Sequence, residues 1–118
     1  MTAFAAPSRE ESMRRLMRGY ARVAGFARDL PYTVADRLEE RAADAGDQPF
    51  LLFEEQSISF AEMNARANRV AHAALAAGLR KGDVVALLML NRPEFVLVWL
   101  GLAKAGIVTA LVNTSATG

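Results

Sequence analysis

Val84-Val85-Ala86-Leu87-Leu88-Met89-Leu90, then Asn91-Arg92-Pro93-Glu94, Phe95 to Ala105, Gly106, and Ile107-Val108-Thr109-Ala110-Leu111-Val112 form the stretch whose reading decides the fold. The first run has no polar interruption, which predicts a strand buried on both faces, as parallel strands are. Asn91 is expected to cap the following helix, because its side-chain oxygen can accept from an orphan backbone N–H of the first turn. Pro93 then falls in that turn, where its missing N–H breaks no helical bond. Glu94 and Lys104 carry the charges that suit the two ends of the helix dipole. Gly106 supplies a left-handed stop. Phe95 to Ala103 is apolar in nearly every direction around the helix, so this helix should be covered on most sides. Strand, helix and strand together predict a parallel, right-handed crossover unit running from 84 to 112.

Upstream, Thr33 and Asp36 have the spacing of a helix cap and its reciprocal acid. Val34, Leu38, Ala42 and Ala45 should line one side of that helix, with Gly46 ending it. Phe50 to Phe53 and Ser57 to Ser59 read as a small hairpin around Glu54-Glu55-Gln56, a turn without the glycine that favoured hairpin turns use. Ser59-Phe60-Ala61-Glu62 is a full capping-box pattern. The helix it opens is expected to run to about Ala77, burying Phe60, Met63, Ala67, Val70, Ala71 and Ala74. Gly78 ends it, and Arg80-Lys81-Gly82-Asp83 turns the chain into the central strand.

The chain is 118 residues, 53% hydrophobic and 23% charged, with a formal net charge of +1. That length allows one small domain, and the balance gives no global attraction to nucleic acid. With no cysteine, disulfides, thiolate metal sites and thiol nucleophiles are excluded. Charge is uneven. Residues 1–30 hold six arginines against Glu10, Glu11 and Asp29, a net +3, and the remainder is net −2. Met1 to Ser8 reads as disordered and has no apolar core of a secretory signal. From Glu10 to Ala27, Met13, Leu16, Met17, Tyr20, Val23, Ala24 and Ala27 fall on one helical face, and Arg14, Arg15, Arg18 and Arg22 lie off it. Two readings stand: a basic amphipathic helix on an anionic membrane, or an ordinary helix packed on its own protein. Phe95 to Val112 approaches spanning length, but Lys104, Gly106 and the β-branched Ile107-Val108-Thr109 favour a helix followed by a strand.

Residues able to do chemistry are few. His72 lies among alanines and reads as structural or solvent-facing. Glu39, Glu40 and Asp44 have helical spacing and read as a solvated face, as do Arg66 and Arg69. Lys81 and Lys104 fit turn and helix-end roles. The tail Thr114-Ser115-Ala116-Thr117-Gly118 is rich in hydroxyls, but has no internal glycine and reads as the loop after the second strand. No catalytic, cofactor-binding or metal-binding residue is assigned.

Lys81-Gly82-Asp83-Val84-Val85-Ala86-Leu87, Asn91-Arg92-Pro93-Glu94-Phe95 and Trp99-Leu100-Gly101-Leu102-Ala103-Lys104-Ala105-Gly106 resemble the N-terminal part of the AMP-forming adenylating enzymes. Trp99 through Leu111-Val112-Asn113-Thr114 is most similar to the long-chain and very-long-chain acyl-CoA synthetase branch, which includes the fatty acid transport proteins. The resemblance runs from about Pro31 to the end and rests on scaffold segments. It implies an α/β fold: a helix, a small β-hairpin, then a helix and a parallel β-α-β unit with an incomplete sheet. The chain is thus expected to have two segments: the tail and basic helix read above over 1–30 and, as the resemblance implies, the N-terminal part of an adenylation domain over 31–118, truncated before the phosphate loop. The parent implied is an enzyme that uses Mg-ATP to activate a fatty acid as acyl-adenylate and passes the acyl group to CoA. No cofactor, and no part of the family's Gly-x-Pro-Lys phosphate loop, is assigned to this chain. Expected partners are fatty acid and CoA for the parent, no nucleic acid, a peripheral membrane contact through residues 10–27, and the remainder of the domain or a second copy. The expected location is cytoplasmic, peripheral on the membrane's cytoplasmic face. Rival readings are a non-catalytic docking module and a small membrane-spanning protein.

Overall fold

The computed structural model describes residues 7–24 and 31–115, and the chain divides at Pro31 into two units. The first unit is helix α1 (Arg9–Val23). Ser8 is not disordered: its hydroxyl accepts from the Glu11 N–H at 3.1 Å and caps the helix. Glu10 pairs with Arg14 at 3.3 Å and Glu11 with Arg15 at 2.5 Å, one turn on. Ala27, the last apolar position expected on this face, lies outside the described residues.

The second unit opens with α2 (Val34–Ala45). Thr33 caps it and both halves of its capping box are present. The Asp36 carboxylate accepts from the Thr33 hydroxyl and N–H, each at 2.6 Å. Those bonds, the side-chain one first, hold its pKa below the usual aspartate value. Ala35 and Leu38 are the buried residues of α2, whereas Val34 is exposed. Leu38, Ala42 and Ala45 are buried or half-buried as expected, and only the first position of the stripe shifts, from Val34 to Ala35. Gly46 ends the helix.

Strands β1 (Pro49–Phe53) and β2 (Gln56–Ser59) pair antiparallel, with an irregularity between Pro49 and Leu51. Gln56 is already paired, opposite Phe53, so the turn is the two residues Glu54-Glu55. Glu54 takes a φ of 50°, the left-handed region that glycine would adopt without strain. Helix α3 (Phe60–Ala76) follows, with the Ser59 hydroxyl accepting from the Glu62 N–H at 3.2 Å. The box is only half made here, because the Glu62 carboxylate turns forward to pair with Arg66.

Strand β3 (Val84–Leu87), helix α4 (Pro93–Lys104) and strand β4 (Val108–Leu111) form the crossover unit. The strands are parallel, Val84 opposite Val108 and Leu87 opposite Leu111. Phe95 to Val112 is therefore not one helix, and among the described residues no helix is long and apolar enough to cross a membrane. Two expectations fail. The first is the cap: Asn91 does not cap α4. Pro93 pushes the residue before it out of the helical region, so Arg92, extended at φ −150° and ψ 164°, becomes the cap and offers no side-chain bond. The second is the buried strand. β3 stops at Leu87 and has one covered face. Val85 and Leu87 point inward, while Val84, Ala86 and Leu88 are exposed. Ala74 of α3, Leu102 and Ile107 form the cluster beneath, with Val85 and Val98 packed against it.

The main core lies between α2, the hairpin, α3 and α4: Leu38, Ile58, Met63, Ala67 and Leu100, with Phe50, Phe60 and Val96 around them. Phe50 meets Phe60 edge-on at 5.1 Å, and Arg41 stacks over the Phe60 ring. Met63 and Leu100 are almost wholly buried, each worth about 1.5–3 kcal/mol. Gly101 lets α4 approach α3 closely: a Cβ there would sit 2.5 Å from Val70 Cβ and 2.9 Å from the Ala67 carbonyl oxygen. Cover on α4 is less complete than expected, since Trp99 stays 37% exposed.

Candidate functional site

Parallel pairing brings the carboxyl ends of β3 and β4 to one edge of the sheet, where α/β folds place their ligands. The chain opens a cleft of about 680 Å³ there. One wall is Met89, Leu90 and Asn91, which link β3 to α4. The other is Leu111 to Ser115, which leaves β4, and Phe95 is also part of the lining. The last rung joining the walls is the Val112 N–H to the Leu87 carbonyl, 3.0 Å. Beyond it the Asn113 side-chain oxygen accepts from the Ser115 N–H at 2.9 Å. This turn sets Thr114 and Ser115 into the lining. An apolar depression of about 330 Å³, lined by Leu51, Phe53, Arg92, Pro93 and Val96, shares Asn91 and Phe95 with the cleft.

The start of α4 lies beside this cleft, but its positive end already has an anion. Glu94 is held ionised below the usual glutamate range, first by its own backbone N–H and also by Arg92. Arg92 Nε donates to Glu94 Oε2 at 3.0 Å. The lining itself holds amides, hydroxyls and apolar side chains, none of them ionisable near neutral pH. Such a surface can hydrogen-bond and shelter a ligand. It holds no carboxylate, imidazole, amine or thiol to serve as a general base, and among the described residues no group of three or more His, Cys, Asp or Glu side chains is placed to hold a metal ion.

The other residues singled out in the sequence lie apart from it. His72 is exposed on α3. Glu40 is exposed on α2, where it accepts from the Tyr32 hydroxyl at 2.6 Å and from Arg37 at 3.3 Å. The Tyr32–Glu40 bond raises the tyrosine pKa. Glu39 is more than part of a solvated face, for it pairs with Lys104, whose side chain is 5% exposed. That contact joins α2 to the end of α4 across 65 residues of sequence, and no local pattern announces it. Lys81 packs its stem beside Gly106. Thr114 and Ser115 reach the cleft, whereas Ala116, Thr117 and Gly118 lie outside the described residues. The Asn113 turn was open to sequence reading, since asparagine two residues before a serine often bonds its own backbone in this way.

The AMP-binding enzyme family matches residues 38–118. Long-chain fatty acid transport protein 6 of Homo sapiens is 44% identical over 84 residues, covering 70% of this chain and 14% of that protein. Medium/long-chain-fatty-acid–CoA ligase FadD6 of Mycobacterium tuberculosis is 39% identical over 75 residues, 64% of this chain and 13% of the ligase. Among solved structures, o-succinylbenzoate CoA synthetase (MenE) of Bacillus subtilis with ATP and magnesium superimposes at a TM-score of 0.66 with 34% identity, over 68% of this chain and 22% of that one. The Klebsiella oxytoca NpsA N-terminal subdomain gives 0.69 at 28% identity, over 71% and 21%. The chain thus spans 14% and 13% of the two curated relatives named. Its helix, hairpin, helix and parallel crossover match the N-terminal portion of the adenylate-forming fold, and the chain belongs to the AMP-binding enzyme family of adenylating acyl-CoA synthetases.

Proposed function

We propose that this chain serves a long-chain acyl-CoA synthetase as its N-terminal scaffold and does no chemistry of its own. The observation that carries the substrate class is the 44% identity to long-chain fatty acid transport protein 6, and the ligase FadD6 supports it. In the parent reaction the fatty acid carboxylate attacks the α-phosphorus of ATP and expels pyrophosphate. The CoA thiol then attacks the acyl carbon and AMP leaves. That chemistry needs a phosphate cradle, a metal site and a cation aimed at the reacting atoms. The cleft's lining offers a magnesium ion no carboxylate. Residues 31–118 form the start of the adenylation domain in this reading, and 1–30 an appended basic segment. The parent works in the cytoplasm, where ATP and CoA are supplied. The exposed outer face of β3 and β4, with Val84, Ala86, Val108 and Ala110, is where we place the rest of that domain, or a second copy. A docking module is the second reading, favoured only by the bare apolar face of α1.

The test is palmitate-dependent pyrophosphate exchange with Mg-ATP. The 118-residue chain should give none above a boiled control. Exchange that disappears in the variant Thr114→Ala/Ser115→Ala/Thr117→Ala would show that the tail is a working phosphate loop. The substrate class is tested by grafting residues 38–112 in place of the matching segment of FadD6. A folded graft that retains palmitate-dependent exchange supports the reading, and a folded graft without it refutes it.

A further inference from the structure

Helix α1 buries none of its residues. Met13, Leu16, Met17, Tyr20 and Val23 are each more than half exposed. At 3.6 residues per turn these five fall within an arc of about 120°. Arg14, Arg15, Arg18 and Arg22 occupy the opposite side. The helix holds five arginines against two glutamates. The two acids are spent on Arg14 and Arg15. Among the described residues no carboxylate pairs with Arg9, Arg18 or Arg22, so two of the three unbalanced positive charges lie in the second half of the helix.

We propose that α1 is a docking helix for anionic phospholipid bilayers, with its apolar arc in the headgroup boundary and Arg18 and Arg22 bound to headgroup phosphates and carboxylates. The dimensions agree. A helix is about 10–12 Å across, and an interfacial helix sinks about 5–10 Å. Its far face therefore remains at headgroup level, within reach of long arginine side chains that bend back toward the lipid. Nucleic acid would satisfy the arginines but leave the apolar arc in water. A protein groove with an acidic rim would cover the arc and meet the arginines as well, and it predicts no binding to phosphatidylserine vesicles, which the experiment below reads. An isolated helix of this length is marginal in water, so lipid contact also supplies its missing stabilisation. The inference does not depend on the ligase reading.

The experiment is cosedimentation of the 118-residue chain with phosphatidylcholine vesicles, with and without phosphatidylserine, alongside far-UV circular dichroism. Binding should require phosphatidylserine and raise helicity. Arg18→Gln/Arg22→Gln should weaken it about 25-fold, about fivefold per arginine near the surface, and molar salt should weaken it as well. Arg14→Gln/Arg15→Gln should do less, because those charges are already partly neutralised. Leu16→Gln/Met17→Gln should abolish binding while keeping helix propensity, since glutamine ranks beside leucine and methionine. Absence of binding is the result expected of a helix seated on protein, and it overturns the proposal. Binding that survives both the Arg18/Arg22 and the Leu16/Met17 variants would come from the exposed sheet instead, and overturns it too.

Discussion

Helix α4, where it crosses α3, and strands β3 and β4 are built from comparably apolar sequence, yet they meet solvent differently. Where the helices cross, Leu100 is 2% exposed and Gly101 has no room for even a methyl group. Across the strands, Val84 and Val108 remain 65% and 53% exposed on the face turned away from the helices. The contrast separates two properties that an apolar run conflates. One is the tendency to form a strand or helix, which is local. The other is the presence of a covering element, which depends on chain elsewhere. The helix crossing holds its own partner and the sheet holds only half of one.

Leu100→Ala should break the comparison from the packed side, lowering the unfolding free energy by about 2–5 kcal/mol in urea titration. Val108→Ala should stay within about 0.5 kcal/mol, as exposed substitutions do. Equal losses at the two positions would mean that the sheet's outer face is covered after all. Gly101→Ala sharpens the same point with a smaller effect. Its new methyl group would overlap the Cβ of Val70, at a cost of about 1–3 kcal/mol, and adding Val70→Gly, which removes that Cβ, should recover part of it. A double-mutant cycle that shows no coupling would place the two helices farther apart than they lie here. Smallest is the effect of Thr33→Ala at the start of α2, about 1 kcal/mol from the lost cap. It carries a pH signature. The Asp36 pKa is depressed in the folded chain, so its contribution is complete above the unfolded aspartate pKa of about 3.9. That contribution fades as pH falls through the lower, folded value. Acid titration of stability should show this loss in the parent chain and a weaker one in Thr33→Ala.

Much of this architecture was legible in the sequence. Hydrophobic period and punctuation located the helices, the hairpin and the parallel crossover, because those signals act over a few residues. Thr33 and Asp36 announced their capping box by spacing alone. Asn91 misled because two local rules competed: its side chain suits a cap, but Pro93 dictates the conformation of Arg92 and shifts the cap by one residue. The length of β3 was not legible, for it is set by where β4 stops offering partners. The Glu39–Lys104 pair was invisible for a similar reason, since its ends meet only after α2 and α4 have packed. At the cleft, Asn113, Thr114 and Ser115 could be recognised as turn formers, but not as neighbours of Asn91 and Phe95.

The two ends of the parallel strand pair are fastened unequally. At the amino end the Gly82 N–H bonds the Gly106 carbonyl at 2.9 Å, and the Val108 N–H bonds Asp83 at 2.8 Å. Both glycines there are left-handed, so the turns on either side of the sheet are clasped to each other. At the carboxyl end, once Val112 has bonded Leu87, Leu88 to Leu90 run on without a rung. The pair therefore behaves as a hinge leaf fixed along one edge, and its openings begin at the free edge, where fewest bonds resist them. Faster amide exchange at Val112 than at Val108 is the observable form of that asymmetry. The cleft lies on the edge that gives, so it can widen for an incoming group while the glycine clasp keeps the strands in register.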